Sequence, residues 1–322
     1  PYAPPSEIAH RSYRPQVKGK PDAVEQAVDL IAAGKRPIFY GGGGLINAGP
    51  EASDLFREFV KETGYPCTLT LMGLGAYPSS DPQFLGMLGM HGTYEANLAM
   101  HGCDVMINIG ARFDDRVTGL LSAFSPGSKK IHVDIDPSSI NKNVSVDVPV
   151  VGDAATVLAQ MLEVWRRKKY SADKPALEAW WRQINLWRQR DCLGFRQTGD
   201  VIRPQHAIRR LFEKTAEREC FISTEVGQHQ MWAAQYYGFD KPNRWLTSGG
   251  LGTMGYGLPA AVGAQVAHPD ALVIDIAGEA SILMNIQELS TIAQYRLPVK
   301  AYIINNQWMG MVRQWQELNH GS

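Results

Sequence analysis

The sequence predicts an α/β protein made of two doubly wound parallel-sheet domains. Three observations carry that prediction. Short apolar runs alternate with segments of helical period, the alternation occurs twice, and the strand-like runs end in turns rich in glycine or acid. Strands that alternate with helices imply a parallel sheet covered on both faces. Ligands in such sheets sit beyond the carboxyl ends of the strands, where the strand order reverses.

Residues 1 to about 20 read as a linker, with Pro1, Pro4, Pro5 and Pro15 in an extended stretch. Ala23 to Ala33 is predicted helical from Val24, Ala27, Val28 and Ile31. Four apolar runs follow as strands: 37–40, 67–71, 105–109 and 130–135. Asp153 to Arg167 is a further helix, and Lys168 to Pro175 a polar hinge. Ala176 to Arg190 reads as a connecting helix whose Trp180, Trp181 and Trp187 pack between domains. The second alternation starts at Gln205, with strands at 221–224, 245–247, 272–276 and 301–304. The division expected is 1–20 linker, 21–170 first domain, 171–203 connecting segment and 204–322 second domain.

With 32 basic and 32 acidic residues the formal charge is zero, which argues against nucleic acid or an anionic membrane surface as partner. No apolar run reaches the roughly 18 residues of a membrane span. Cys67, Cys103, Cys192 and Cys220 are scattered without metal or redox spacing and read as reduced thiols. The chain opens on Pro1 without a methionine and stops soon after a predicted strand, so we expect an internal piece of a longer polypeptide.

The most informative pattern joins Gly278-Glu279-Ala280-Ser281 to Asn305-Asn306, 27 residues downstream. Each closes an apolar run, so a carboxylate and an amide leave the ends of two strands joined by one crossover. Ser281 to Tyr295 is predicted to be that crossover helix, with Ile282, Leu283, Ile286, Leu289 and Ile292 on its sheet-facing stripe. A helix start favours phosphate, and a hard cation on a diphosphate takes oxygen ligands: Glu279, Asn306 and a backbone carbonyl near Trp308. Taken alone, Glu279 reads more readily as a helix-start acid. Glu225 to Gln230 and the five-glycine stretch Ser248 to Gly257 follow the first two strands of this domain and converge on the same place.

In the first domain Gly41-Gly42-Gly43-Gly44 follows a strand, a signal shared by nucleotide cradles and simple turns. Arg112 and Arg116 suit a pyrophosphate, although with Asp114 and Asp115 they would also form a surface ion-pair cluster. Asp134, at a strand end, is placed for a ribose hydroxyl.

Three blocks, Val226 to Trp232, Gly250 to Gly255 and Asn306 to Trp315, resemble the catalytic subunit of the acetohydroxyacid synthase (acetolactate synthase) family, and the resemblance extends over essentially every segment. It implies thiamine diphosphate in contact with Val226, Gly227, Gln228, His229, Gly252, Met254, Ala280, Ser281, Met284, Gly310 and Met311, and Mg2+ held by Glu279, Asn306 and the Trp308 carbonyl. Met254, Gln228 and Met311 would stand at the reacting centre, with Met254 under the bent cofactor. It implies an extended FAD, without a redox role in the net reaction, against Gly42, Gly43, Thr70, Leu71, Gly89, Met90, His91, Gly110, Arg112, Asp114, Arg116, Val117, Asp134, Ile135 and Asp153. The implied fold is a FAD-binding-like middle domain followed by an incomplete thiamine diphosphate domain.

The implied activity decarboxylates pyruvate and transfers the two-carbon unit to pyruvate or 2-oxobutanoate, in branched-chain amino acid biosynthesis. It brings with it a cytoplasmic bacterial enzyme, a homodimer or tetramer and a small regulatory subunit. In the family a glutamate from an N-terminal domain protonates the cofactor, so this piece alone is expected to be inactive. Glu279 departs from the family, which usually has Asp there. A different thiamine enzyme, such as a pyruvate oxidase or glyoxylate carboligase, and a non-catalytic flavin-binding subunit are the alternatives.

Overall fold

The structure, a computed structural model, describes residues 15–321. Most of the linker expected at 1–20 lies outside that range. Residues 15–20 run along the first domain, where Gly19 exchanges hydrogen bonds with the Gln160 amide and Val17 accepts from Asp153 N–H.

The first sheet has six parallel strands: β1 (Pro37–Gly41), β2 (Cys67–Leu69), β3 (Phe84–Met87), β4 (Val105–Ile109), β5 (Lys129–Asp134) and β6 (Val148–Val151). Their order is β3-β2-β1-β4-β5-β6. The chain winds outward from β1 to β3, then returns to β4 on the other side. The reversal therefore falls between β1 and β4. There Gly42 N–H donates to Ile109 O and Gly44 N–H to Gly110 O, at 2.9 Å each. A Cβ on Gly42 would run into the Gly110 carbonyl and Ala111, so glycine is required for these two backbones to cross.

β1 and β4 are buried along their whole length, as central parallel strands must be. β3 and β6, which the sequence reading missed, are four-residue edge strands buried on one face only, and β6 carries Pro149. Their apolar runs are too short and too interrupted to stand out. β2 stops at Leu69 because a one-turn helix, Leu71–Gly73, begins there, with the Thr70 hydroxyl accepting from Gly73 N–H. The helix Lys174–Arg188 lies on this first sheet rather than between domains. Trp180 Nε1 donates to Pro37 O, Trp181 Nε1 to Gly64 O, and Trp187 meets Trp180 edge to face.

The second sheet comprises β7 (Cys220–Thr224), β8 (Trp245–Thr247), β9 (Leu272–Gly278) and β10 (Lys300–Ile304), all parallel, in the order β10-β9-β7-β8. Its reversal lies between β7 and β9. The helix expected over 281–295 is broken. Ile282–Asn285 is a 3-10 turn and the α-helix begins at Glu288. Ser281 bonds back to Gly278, and Asn285 spends its amide on Gly255 O, so neither continues a regular helix. Of the predicted stripe Ile282 is buried and Ile292 packs behind it, whereas Leu283, Ile286 and Leu289 are exposed.

One apolar cluster runs through both sheets, from Phe39, Phe56 and Tyr77 to Tyr237, Phe239 and Trp245. Polar bonds fix the junction. Arg57 reaches Gly75 O, Ala76 O and Asp240 O, while Asp240 accepts from Ser79 Oγ and Ser80 N–H.

Phe39 is wholly buried, with edge-on contacts to Phe56 and Phe59 at 5.7 and 5.2 Å. Phe39→Ala is expected to cost ~3–5 kcal/mol of unfolding free energy, read from urea denaturation. A loss below about 1 kcal/mol would show that this cluster does not hold the first sheet together.

Candidate functional site

Two cavities open at the two strand reversals. The smaller, about 170 Å3, lies at the carboxyl ends of β7, β9 and β10. Ile304 stands opposite Gly278 in the β9/β10 register, so the turns beginning at Glu279 and Asn305 leave the sheet side by side. Glu279, Asn306 and Trp308 all line this cavity. Asn306 Oδ1 accepts from Trp308 N–H at 3.2 Å, which closes the Asn306–Trp308 turn. No cluster of three or more His, Cys, Asp or Glu side chains suited to a metal occurs among the described residues. A cation here would therefore rest on one carboxylate, carbonyl oxygens and the oxygens of its ligand, the donor set that suits Mg2+ on a diphosphate.

Val226, Gly227, Gln228 and His229 form the wall contributed by β7 and the helix Gln228–Tyr236. Gly227 has φ +154, and a Cβ there or on Gly278 would press on the His229 ring. Burial draws the His229 imidazole down to about 4, against a smaller upward pull from the Glu225 backbone. The ring is therefore neutral at pH 7, with Nε2 3.4 Å from Ser281 Oγ. Gly252, Met254, Ala280, Ser281, Gly310 and Met311 complete the predicted set that lines the cavity. Gly310 lies against the Gln228 amide, which a Cβ there would displace. Met284 does not reach it: the 3-10 turn directs Met284 outward, half exposed, beside Gly255. Trp232, Ile304, Met309 and Val312 also line the cavity and were not singled out. Trp232, Met309 and Val312 lie inside the blocks that carry the family resemblance, and Ile304 is the last apolar residue before the tandem asparagines.

The larger cavity, about 850 Å3, spreads from the β1/β4 reversal to the glycine-rich stretch of the second domain. Gly43, Thr70, Leu71, Met90, His91, Gly110, Arg112, Asp114, Arg116, Val117 and Asp134 line it, as expected for a bound dinucleotide. Gly42, Gly89, Ile135 and Asp153 do not. Gly42 is buried in the backbone crossing, and Gly89, at φ +92, packs on the Arg116 carbonyl. Ile135 faces solvent. Asp153 caps the helix Ala154–Arg167 through Thr156 N–H. Arg112 and Asp114 form the anticipated ion pair while still facing the cavity.

The missed residues of most interest are Tyr40 and Trp245. Both line the cavity, and the Tyr40 hydroxyl and Trp245 Nε1 are buried with no partner among the described residues. Buried polar atoms are rarely left so, and a ligand rich in acceptors, such as a dinucleotide, fits them. Val226, Gly252 and Met311 line both cavities, and Arg116 of the first domain sits 5.5 Å from the Trp315 ring of the second.

Comparison with known proteins agrees with this geometry. Residues 24–161 match the central domain of the thiamine pyrophosphate enzymes, and residues 225–322 match their C-terminal TPP binding domain. The chain belongs to the thiamine pyrophosphate enzymes. Within that family it is similar to acetolactate synthase large subunits. It is 47% identical over 318 residues to the one from Haemophilus influenzae, covering 99% of this chain and 55% of that protein. Isozyme 3 of Escherichia coli gives the same 47% over 318 residues, again 99% and 55%. The chloroplastic acetolactate synthase of Arabidopsis thaliana is 49% identical over 296 residues, 91% of this chain and 43% of that one. The chain thus spans about half the length of the curated relatives it matches. No described helix is long and apolar enough to cross a membrane.

The buried His229 makes a pH prediction. A base whose folded pKa is depressed contributes stability above its unfolded value, and that stability is lost as pH falls from about 6.5 toward about 4. His229→Asn is expected to flatten the fall in unfolding free energy over that window, measured by urea titration at a series of pH values. Identical slopes in the two proteins would mean that His229 titrates normally.

Proposed function

We propose that this chain is the cofactor-binding part of an acetolactate synthase catalytic subunit, which joins pyruvate-derived two-carbon units to pyruvate or 2-oxobutanoate. The observation that carries the reading is the meeting of Glu279, Asn306 and Trp308 with Val226–His229 and Met254 around one cavity. We read residues 21–170 as the middle domain, 171–203 as the connecting segment and 204–322 as the thiamine diphosphate domain.

Thiamine diphosphate, when bound, supplies the nucleophilic carbon and the electron sink for decarboxylation. The chain's own residues do the rest. Glu279, Asn306 and the Trp308 carbonyl would hold Mg2+, and through it the diphosphate. Glu is one methylene longer than Asp, so at Mg2+ distances the turn after Gly278 must adjust or a water must intervene. His229, kept neutral by burial, and Ser281 present polar atoms without adding charge. Met254 and Met311 give apolar walls that exclude water from the reacting centre, and Gln228 sets its amide against Gly310. In the larger cavity Arg112 and Arg116 would bind the pyrophosphate of FAD, with Tyr40 and Trp245 donating to it. A homodimer or tetramer with a small regulatory subunit, in the bacterial cytoplasm, completes the proposal.

The deciding assay offers the full-length enzyme pyruvate, with and without 2-oxobutanoate, and follows acetolactate and peroxide. Acetolactate is expected; peroxide without it would point to an oxidase. Glu279→Gln is expected to weaken Mg2+-dependent thiamine diphosphate binding by about tenfold or more, since charge-assisted ligation is lost, while Glu279→Asp retains it. Binding indifferent to Mg2+ in the wild type would remove the metal assignment.

A further inference from the structure

Glu225 and Asp275 are two carboxyl groups with 0% exposure on the same face of the second sheet, and neither lines a cavity. Glu225 follows the last residue of β7, and Asp275 stands opposite Ser223 in the β7/β9 register. Glu225 Oε2 accepts from Gly255 N–H at 2.5 Å and Oε1 from Leu258 N–H at 3.1 Å. These amides open the helix Gly257–Ala267, which has no side-chain cap of its own at Tyr256. A carboxylate from 30 residues away thus does the capping. The carbonyl of Gly255, at φ +91, is held in turn by Asn285 Nδ2 at 2.6 Å. Gly255, the residue that follows Met254, is therefore held at both its N–H and its carbonyl. Val226, next to Glu225 in the chain, lines the cavity with Met254.

We infer that Glu225 is a positioning residue for the proposed thiamine diphosphate site: backed by Asp275, its carboxylate ties the Met254 turn to the end of β7 and so fixes two walls of the cavity relative to each other. This rests on the functional reading above for what the cavity holds, but not for the clamp itself.

The surroundings make the clamp sensitive to pH. Asp275 Oδ1 accepts from Ser223 Oγ at 3.1 Å, and Oδ2 has no partner among the described residues. β7 and its end contribute Ser223 and Glu225 to this spot, Gly257 of the covering helix lies so close to Asp275 Oδ1 that a Cβ there would collide with it, and β10 contributes Ala301. On the other face of the sheet lies the helix bearing the neutral His229. Glu225 is thus the one charged group among them. Burial, and then the charge on Glu225, push Asp275 up to about 7. Burial also raises Glu225, but three backbone N–H groups of residues 255–258 oppose it, so Glu225 holds the charge and Asp275 the proton. An acid with a raised folded pKa contributes stability that is present at low pH and lost as pH rises through that value. Above about pH 7 two buried charges therefore share the amides that suffice for one.

The test measures amide hydrogen-exchange protection at Gly255 and Leu258, and the thiamine diphosphate Kd at saturating Mg2+, in the holoenzyme between about pH 6 and about pH 8. Wild-type protection is expected to fall several-fold over that range as Kd rises. Asp275→Asn should hold the low-pH values throughout. Glu225→Gln should lower protection about tenfold at every pH, and Glu225→Asp should restore part of it. A flat wild-type profile, a step that persists in Asp275→Asn, or wild-type protection in Glu225→Gln each overturns the inference. A protein that shows the exchange step but binds no thiamine diphosphate upholds the clamp and overturns the functional reading instead.

Discussion

The pairing of β9 with β10, with Ile304 level with Gly278, is the constraint on which the site depends. Parallel strands are rigid about register, because a shift of one residue turns every side chain to the opposite face. With this register the turns after Gly278 and Ile304 start at the same height, and one oxygen-bearing side chain from each enters the same cavity. β7 on the other side of β9 then delivers Val226 to His229 to the facing wall. Glu279 has no partner strand of its own; its place is inherited from the ladder beneath it.

The first sheet adds a second reversal, and the two domains do not meet as independent bodies. Phe239 and Trp245 of the second domain share one apolar cluster with Tyr77 of the first, and Arg57 and Asp240 hold the seam through backbone carbonyls and serines. Arg57 is largely buried at that seam, and burial lowers its pKa somewhat below the usual guanidinium value. The cost of placing it there is offset by three carbonyl acceptors.

Much of this architecture was legible in the chain because central parallel strands are mostly apolar runs: β1, β4, β7 and β9 stand out even with Asn108, Ser223 and Asp275 among them. The edge strands β3 and β6 were not legible, since a half-buried run of four residues, one of them Pro149, differs little from a loop. The smaller cavity followed from two strand-end motifs, and nearly all its named residues face it. Met284, named from the family resemblance, stands outside the cavity because Ser281 and Asn285 break the regular helix there with local side-chain bonds. Around the larger cavity, Gly42 and Gly89 were taken for ligand-facing glycines. Their role is to let backbone cross backbone, a demand set by tertiary contact that no local pattern records. Tyr40 escaped for the opposite reason: within an apolar strand its hydroxyl carries no signal until the strand is seen to end at a cavity.

Val226, Gly252 and Met311 belong to both cavities, so at those positions the two share a wall one residue thick. A molecule filling the larger chamber would lean on three of the residues that line the smaller one. A nucleotide lodged there need exchange no electrons to matter: as a strut behind a thin wall, it would keep the neighbouring chamber in shape.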